Sequence, residues 1–192
     1  MENAKKAAAW TEQGYILFAE EGMEGIQIER LARILALNKS GFYHYFGDLD
    51  GFFSALLELH KEYCESYLTE LRDVINIDPE FLNLVVKYKL PVMFHIQLLR
   101  CKDNSVFQEV ADGIDRKENV VISDIWSHFI GIYENPDLAL RYFDIIRDMF
   151  YTRASFQTIN YPFLQSLMVE AKGLVQEISD RKEAHNSNEP LL

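Results

Sequence analysis

The chain has 192 residues, 48% of them hydrophobic and 13% aromatic, with only 9 glycines and 5 prolines, which suits one or two small helical domains and excludes a disordered or fibrous chain. Its formal net charge of −11 argues against a protein that coats nucleic acid, because phosphate contact is driven by Lys and Arg releasing counterions. No run of about 18 uncharged apolar residues and no signal-like apolar core occur, and Cys64 and Cys101 stand alone without a CxxC spacing, so a cytoplasmic protein without metal site, cofactor or disulfide framework is expected.

The acid is unevenly spread. Up to Lys61 the chain carries 6 basic and 9 acidic side chains, so this part is only mildly acidic and −8 of the net charge lies beyond it. The spacing of Ala8, Trp10, Tyr15, Ile16, Phe18 and Ala19 predicts a first helix over 4–21, with Gly22 as its stop. Gly14 inside it costs about 1 kcal/mol of helix propensity, repaid if another backbone packs closely there. After a loop at 23–26, residues 28–35 read as a short helix with Ile28, Leu31, Ala32 and Leu35 inward and Arg30 and Arg33 outward. A turn at 36–38 follows, and Asn38 caps a third short helix over 39–46 in which Phe42 and Phe46 sit one turn apart. Two short helices joined by a three-residue turn, supported by a first helix, form the tri-helical DNA-binding arrangement.

Asp48 begins a long fourth helix to about residue 74 that would bridge two domains. A turn at 76–79 precedes a helix over 80–101, bent in its middle where Pro91 removes an amide donor. Residues 102–105 break the pattern, a short helix near 106–114 follows, and 117–133 form a longer one. Asn135 and Pro136 cap and start the next, and the last pair covers 137–157 and 162–181. No strand alternation and no repeat occur, so the fold class is all-α with about nine helices. The expected organisation is a helix-turn-helix domain at 1–47, a helical domain at 48–184 and a flexible tail at 185–192.

The stretch LFAEEGMEGIQIERLARILALNKSGFYHYFGDLDGFFSAL, residues 17–56, resembles the DNA-binding head of TetR-family transcriptional regulators over about a fifth of the chain. The matching positions are Phe18 and Gly22 closing the first helix, Leu31-Ala32 in the second, Lys39 opening the third, and Phe42-Tyr43-His44-Tyr45-Phe46 before an acid and a further apolar helix. The resemblance implies a ligand-responsive repressor that binds palindromic double-stranded operator DNA as a homodimer. It implies phosphate and base contacts from Tyr43, His44 and Tyr45, and a phosphate or guanine contact from Lys39. Ser40 lies on the same outward surface, and the helix amides near Gln27 and Asn38 can bind phosphate through their positive ends. Read alone, Tyr43 and Tyr45 serve equally well as packing aromatics, and His44 and Lys39 as solvated side chains.

Three positions depart from the family pattern. Gln27 replaces the Ser or Thr that caps the second helix, and Ala36 the turn glycine, at a steric cost if that backbone is left-handed. Leu49 replaces a lysine that grips phosphate. Each weakens the expected hold on DNA.

For the C-terminal half the resemblance implies architecture without ligand identity. The fourth, fifth, seventh and eighth helices are expected to surround a mostly apolar pocket for a small aromatic or acyl effector, with Tyr63, Tyr67, Met93, His95, Gln97, Trp126, Phe129 and Arg147 as candidate lining. An aromatic or Met at helical spacing is more often core filling, and Arg147 has Asp144 and Asp148 within helical reach. Apolar stripes at Leu138, Leu140, Phe143, Ile146 and Phe150, and at Phe163, Leu164, Leu167, Val169, Leu174, Val175 and Ile178, predict pairing of the last two helices with a second subunit. An enzyme finds no support, since paired Glu-x-x-His, GxSxG, HExxH and phosphate-binding glycine loops are all missing. The rival reading is a helical ligand-binding or interaction protein of the same fold whose head has weak or lost DNA binding.

Overall fold

The head forms because three apolar faces close on one aromatic cluster. In the computed structural model, which describes residues 2–186 and the side chains of 2–176, α1 (Glu2–Glu21) buries Trp10, Tyr15, Leu17 and Phe18. A tight turn at Gly22–Gly25 leads to α2 (Ile28–Leu35) and α3 (Lys39–Phe46). Phe42 of α3 meets Trp10 edge-on at 5.4 Å and Phe46 at 5.2 Å. Between α2 and α3 the chain turns through Ala36 at φ 52°, ψ 38°. There Leu37 N–H donates to Ala32 O at 2.9 Å and Ala36 N–H to Arg33 O at 3.3 Å, a Schellman closure that glycine usually makes. Asn38 then caps α3, its Oδ1 accepting from Ser40 N–H at 3.0 Å.

Asp48 Oδ1 accepts from Gly51 N–H at 2.9 Å and starts α4 (Leu49–Leu71), which is about 34 Å long at 1.5 Å per residue. Its Phe52 completes the head cluster, 5.0 Å from Phe42 and 4.8 Å from Phe46. A β-carbon on Gly14 would lie 2.3 Å from Phe52 Cζ, so glycine is what lets α1 and α4 approach.

Two expectations about the body need correction. The helix expected over 80–101 is divided into α5 (Leu82–Lys87) and α6 (Lys89–Arg100) at Tyr88, whose φ is −94° and ψ 25°. The bend therefore falls three residues before Pro91, because the proline ring clashes with the carbonyl of the residue four back, Lys87, and disrupts the chain there. Conversely, the segments 106–114 and 117–133 are one helix, α7 (Ser105–Ile130), capped by Asn104. Asp115, between the two expected segments, and Glu118 point inward to partners on other helices. The number of helices stays at nine among the described residues through these two offsetting changes.

Asn135 Oδ1 accepts from Leu138 N–H at 3.1 Å and opens α8 (Pro136–Arg153). This helix stops short of the expected 157, where Ser155 and Thr158 bond each other's amides instead. The last helix, α9 (Tyr161–Asn186), runs past the expected 181 and includes residues 185 and 186 of the expected tail, and residues 187–192 lie outside the described residues. One continuous apolar core runs from Trp10 and Phe42 in the head to Leu164 and Val175 on α9. No described helix is long and apolar enough to cross a membrane.

Candidate nucleic-acid interface and ligand cavity

The outward face of α3 carries Lys39, Ser40, Tyr43 and His44, all exposed, with Tyr43 at 54%. Phe42 anchors the opposite face at 0%. Tyr45 is half-buried and packs against the core, so of the expected contacts it is the one that also holds the head together. Asn38 spends its side chain on the Ser40 amide. Gln27 is exposed and makes no cap, its Nε2 donating to Glu24 O at 3.2 Å, so no side chain covers the first-turn amides of α2.

Two cations of this surface, Lys39 and Arg30, are paired. Lys39 Nζ donates to Glu29 Oε1 at 2.8 Å, which lowers the Glu29 carboxyl and raises the Lys39 amine. Arg30 holds Glu21 through two bonds of 2.5 and 2.6 Å. Leu49 opens α4 with 40% of its surface exposed.

A second feature lies in the body: a cavity of about 90 Å³ between α4, α5, α6, α7, α8 and α9. Its wall is apolar and aromatic, including Phe81, Tyr88, Phe143, Phe150 and Leu167. Set in it is a polar network. Tyr67 O–H donates to Glu118 Oε1 at 2.5 Å, and Arg147 Nη1 reaches Glu118 Oε2 at 3.5 Å. Arg147 also donates to Asp144 Oδ1 at 2.6 Å and Asn119 Oδ1 at 2.8 Å. Asp115 takes His95 Nε2 at 3.1 Å and the Tyr151 hydroxyl at 3.3 Å.

Burial raises the Glu118 carboxyl, and neither the Tyr67 hydrogen bond nor the Arg147 charge offsets this. Burial pushes Asp115 the same way, but the bond and charge of His95, with Arg147 and Tyr151, outweigh it and leave that carboxyl lowered. Burial would lower Arg147, yet Tyr151, Asp115, Glu118 and Asp144 together raise it.

Of the eight pocket residues expected from the sequence, Tyr67, His95 and Arg147 line this cavity. The other five lie outside it. Tyr63 packs on Tyr15 at 5.2 Å, Met93 is buried in the core, and Gln97 Nε2 donates to Ala19 O at 3.4 Å. Trp126 donates to Ala139 O at 2.8 Å, and Phe129 faces the Lys172 ammonium at 4.0 Å. Asp115, Glu118, Tyr88 and Tyr151 were missed. With α7 read as one helix, residues 107, 111, 114, 118 and 122 share a face, and an acid on that apolar stripe was the available signal.

α6 joins the two features. His95 faces the cavity, while the neighbouring Phe94 stacks on Tyr15 of α1 at 4.1 Å with ring planes 6° apart. Phe94 also meets Phe18 at 4.6 Å. From α4, His60 Nδ1 is 2.8 Å from the Tyr15 hydroxyl, and burial first, then the His95 charge, keeps His60 well below the usual imidazole range.

The last two helices are covered differently from expectation. Phe143, Ile146, Phe150, Leu164, Leu167 and Val175 turn into the subunit's own core, and Ile145, Val169 and Leu174 remain exposed. The side chain of Ile178 lies outside the described residues.

Residues 11–56 match the family model described as bacterial regulatory proteins, tetR family. No curated protein and no solved structure matches the chain. The matched segment runs from within α1 through the turn, α2 and α3 into the first third of α4. A helix-turn-helix built and braced in this way, on the residues the family model picks out, gives the chain an N-terminal DNA-binding domain of the kind found in tetR-family transcriptional regulators.

Proposed function

We propose that the chain is a repressor that binds a palindromic operator as a homodimer and releases it when a small molecule occupies the cavity. Residues 1–47 read DNA, and residues 48–184 bind the effector and the second subunit. Lys39, Ser40, Tyr43 and His44 face the major groove from α3, Tyr45 braces that helix while reaching the backbone, and the amides at Gln27 and Asn38 meet phosphates. Tyr67, His95 and Arg147 are the effector contacts.

The observation that carries this reading is the double role of α6, which lines the cavity with His95 and seats α1 through Phe94. At about 90 Å³ the cavity is smaller than the roughly 150 Å³ that accommodates benzene in an engineered core. A ring-sized guest has to spread its walls, and moving α6 or α4 tilts the head they support. In a dimer the two recognition helices must sit roughly 34–36 Å apart, so a tilt lowers operator affinity, and by linkage DNA lowers effector affinity equally.

Pairing of subunits through α8 and α9 is supported by Ile145, Val169 and Leu174, and by the open space beside Gly173, which admits a second helix closely. Overfilling the cavity tests the coupling. Val92→Phe, on the cavity side of α6, is expected to weaken binding to the DNA flanking the chain's own gene by about tenfold in fluorescence anisotropy, with cooperative melting retained. Unchanged affinity in a folded variant rules the coupling out.

A second reading, a ligand-binding protein whose head grips DNA weakly, is favoured by the Lys39–Glu29 pair and by Leu49. Binding of the flanking DNA no tighter than random sequence, and indifferent to Tyr43→Ala, would establish it.

A further inference from the structure

We infer that the cavity selects a small apolar amine, bound as its ammonium ion, over neutral or anionic molecules of the same shape. This rests on the cavity being the effector site.

The wall holds two carboxylates, Asp115 and Glu118, and the guanidinium of Arg147 is already taken. Arg147 gives its shortest bonds to Asp144 at 2.6 Å and Asn119 at 2.8 Å, and stands 3.5 Å from Glu118 and 3.9 Å from Asp115. Three carboxylates therefore share one guanidinium, and the two that line the cavity hold its weaker contacts. Asp115 and Glu118 side chains are only 18% and 13% exposed, so water does little to offset the missing positive charge.

His95 adds an independent observation. Its side chain is 6% exposed and lines the cavity, yet Nδ1 has no hydrogen-bond partner. With Nε2 facing the Asp115 carboxylate at 3.1 Å, the neutral form of the ring presents Nδ1 as an acceptor. A buried acceptor without a donor costs free energy, and an ammonium group supplies three donors. One N–H satisfies His95 Nδ1 while the charge answers Glu118 and Asp115.

The remainder of the wall suits the rest of such a molecule. Tyr67, Tyr88, Phe143 and Phe150 present aromatic surface, which favours both an apolar body and a cation over a ring face. An anion would meet two buried carboxylates with no free cation to receive it. Arg147 Nε, also buried and unpartnered, offers one donor to a neutral acceptor atom on the same ligand.

Isothermal titration of the intact protein with benzylamine, benzyl alcohol and benzoate at neutral pH tests this. Benzylamine is expected to bind at least about tenfold more tightly than benzyl alcohol, with benzoate weakest. In Glu118→Gln and Asp115→Asn the advantage of amine over alcohol should shrink to about threefold or less, and the wild-type ranking decides the matter if either variant fails to fold. Equal binding of amine and alcohol, preference for benzoate, or no binding by any of the three overturns the inference. Repeating the amine titration with the flanking DNA present separates the two readings. Amine selectivity that DNA leaves unchanged keeps the ligand class and removes effector-driven release, whereas benzoate that DNA weakens removes the class and keeps release.

Discussion

Lys39 Nζ lies 2.8 Å from Glu29 Oε1, which ties the only lysine or arginine of the recognition helix to an acid on the preceding helix. Both side chains are exposed, and such pairs are weak and screened by salt. A phosphate can therefore compete for the lysine, but it does so against Glu29. Glu29→Gln is expected to tighten binding to the flanking DNA by about three- to tenfold at low salt. Lys39→Ala should weaken it and reduce the salt slope by about one. Anisotropy titrations over a salt series measure both, and two unchanged slopes would remove Lys39 from the interface.

Leu49 places an apolar side chain, 40% exposed, at the start of α4 beside the head. Leu49→Lys adds a cation there without disturbing a buried contact. The expected result is several-fold tighter binding of both specific and random DNA, because a phosphate contact carries no sequence information. A gain restricted to one sequence would mean that the new lysine reaches a base.

Gly14→Ala should destabilise the protein by about 1–3 kcal/mol through overpacking, although helix propensity alone favours alanine by about 1 kcal/mol. The added methyl would meet the Phe52 ring, which Phe42, Phe46 and Phe53 hold in place. Urea unfolding reads the sign directly, and stabilisation would show that α1 and α4 separate freely.

Ala36→Gly should act in the opposite direction. Its φ of 52° costs an L-residue about 1–2 kcal/mol, of which glycine returns part to the unfolded chain's entropy. The net gain is about 0.5–1 kcal/mol, a rise in Tm of roughly 1–4 °C for a chain of this size. A lower Tm would show that the alanine methyl is packed and not merely strained.

Stability against pH separates the two cavity acids. The Glu118 carboxyl is raised above its ordinary 4.5, so the folded state binds the proton more tightly than the unfolded chain. Stability is then lost as pH rises from about 4.5 through the raised value. Asp115 is lowered below its ordinary 3.8, so its contribution is present above that pH and disappears as pH falls through the lowered value. Glu118→Gln should abolish the loss on the alkaline side and leave the acid limb intact, as measured by urea midpoints across pH. An unchanged alkaline slope would assign it to another group.

What could be read along the chain was whatever is decided within about four residues. The bounds of α2 and α3, the Asn38, Asp48 and Asn135 caps, the stop at Gly22 and the outward position of Lys39 and Tyr43 depend on local hydrogen bonding and on a 3.6-residue period. The family resemblance rests on those of these residues that lie between 17 and 56, and the matched segment 11–56 contains them.

Tertiary structure decided the rest, because a buried polar group is meaningful only with partners from elsewhere in the chain. Asp115 and Glu118 acquire a role only because Tyr67 from α4, His95 from α6 and Arg147 from α8 meet them. Trp126 and Gln97 resembled pocket residues but are committed to the carbonyls of Ala139 and Ala19. The apolar stripes of α8 and α9 were legible as stripes, whereas how much of them one subunit covers is a matter of packing. The sequence by itself determined a helix-turn-helix and its outward face, and the packing of α4 to α9 determined which side chains share a cavity and through α6 join it to the head.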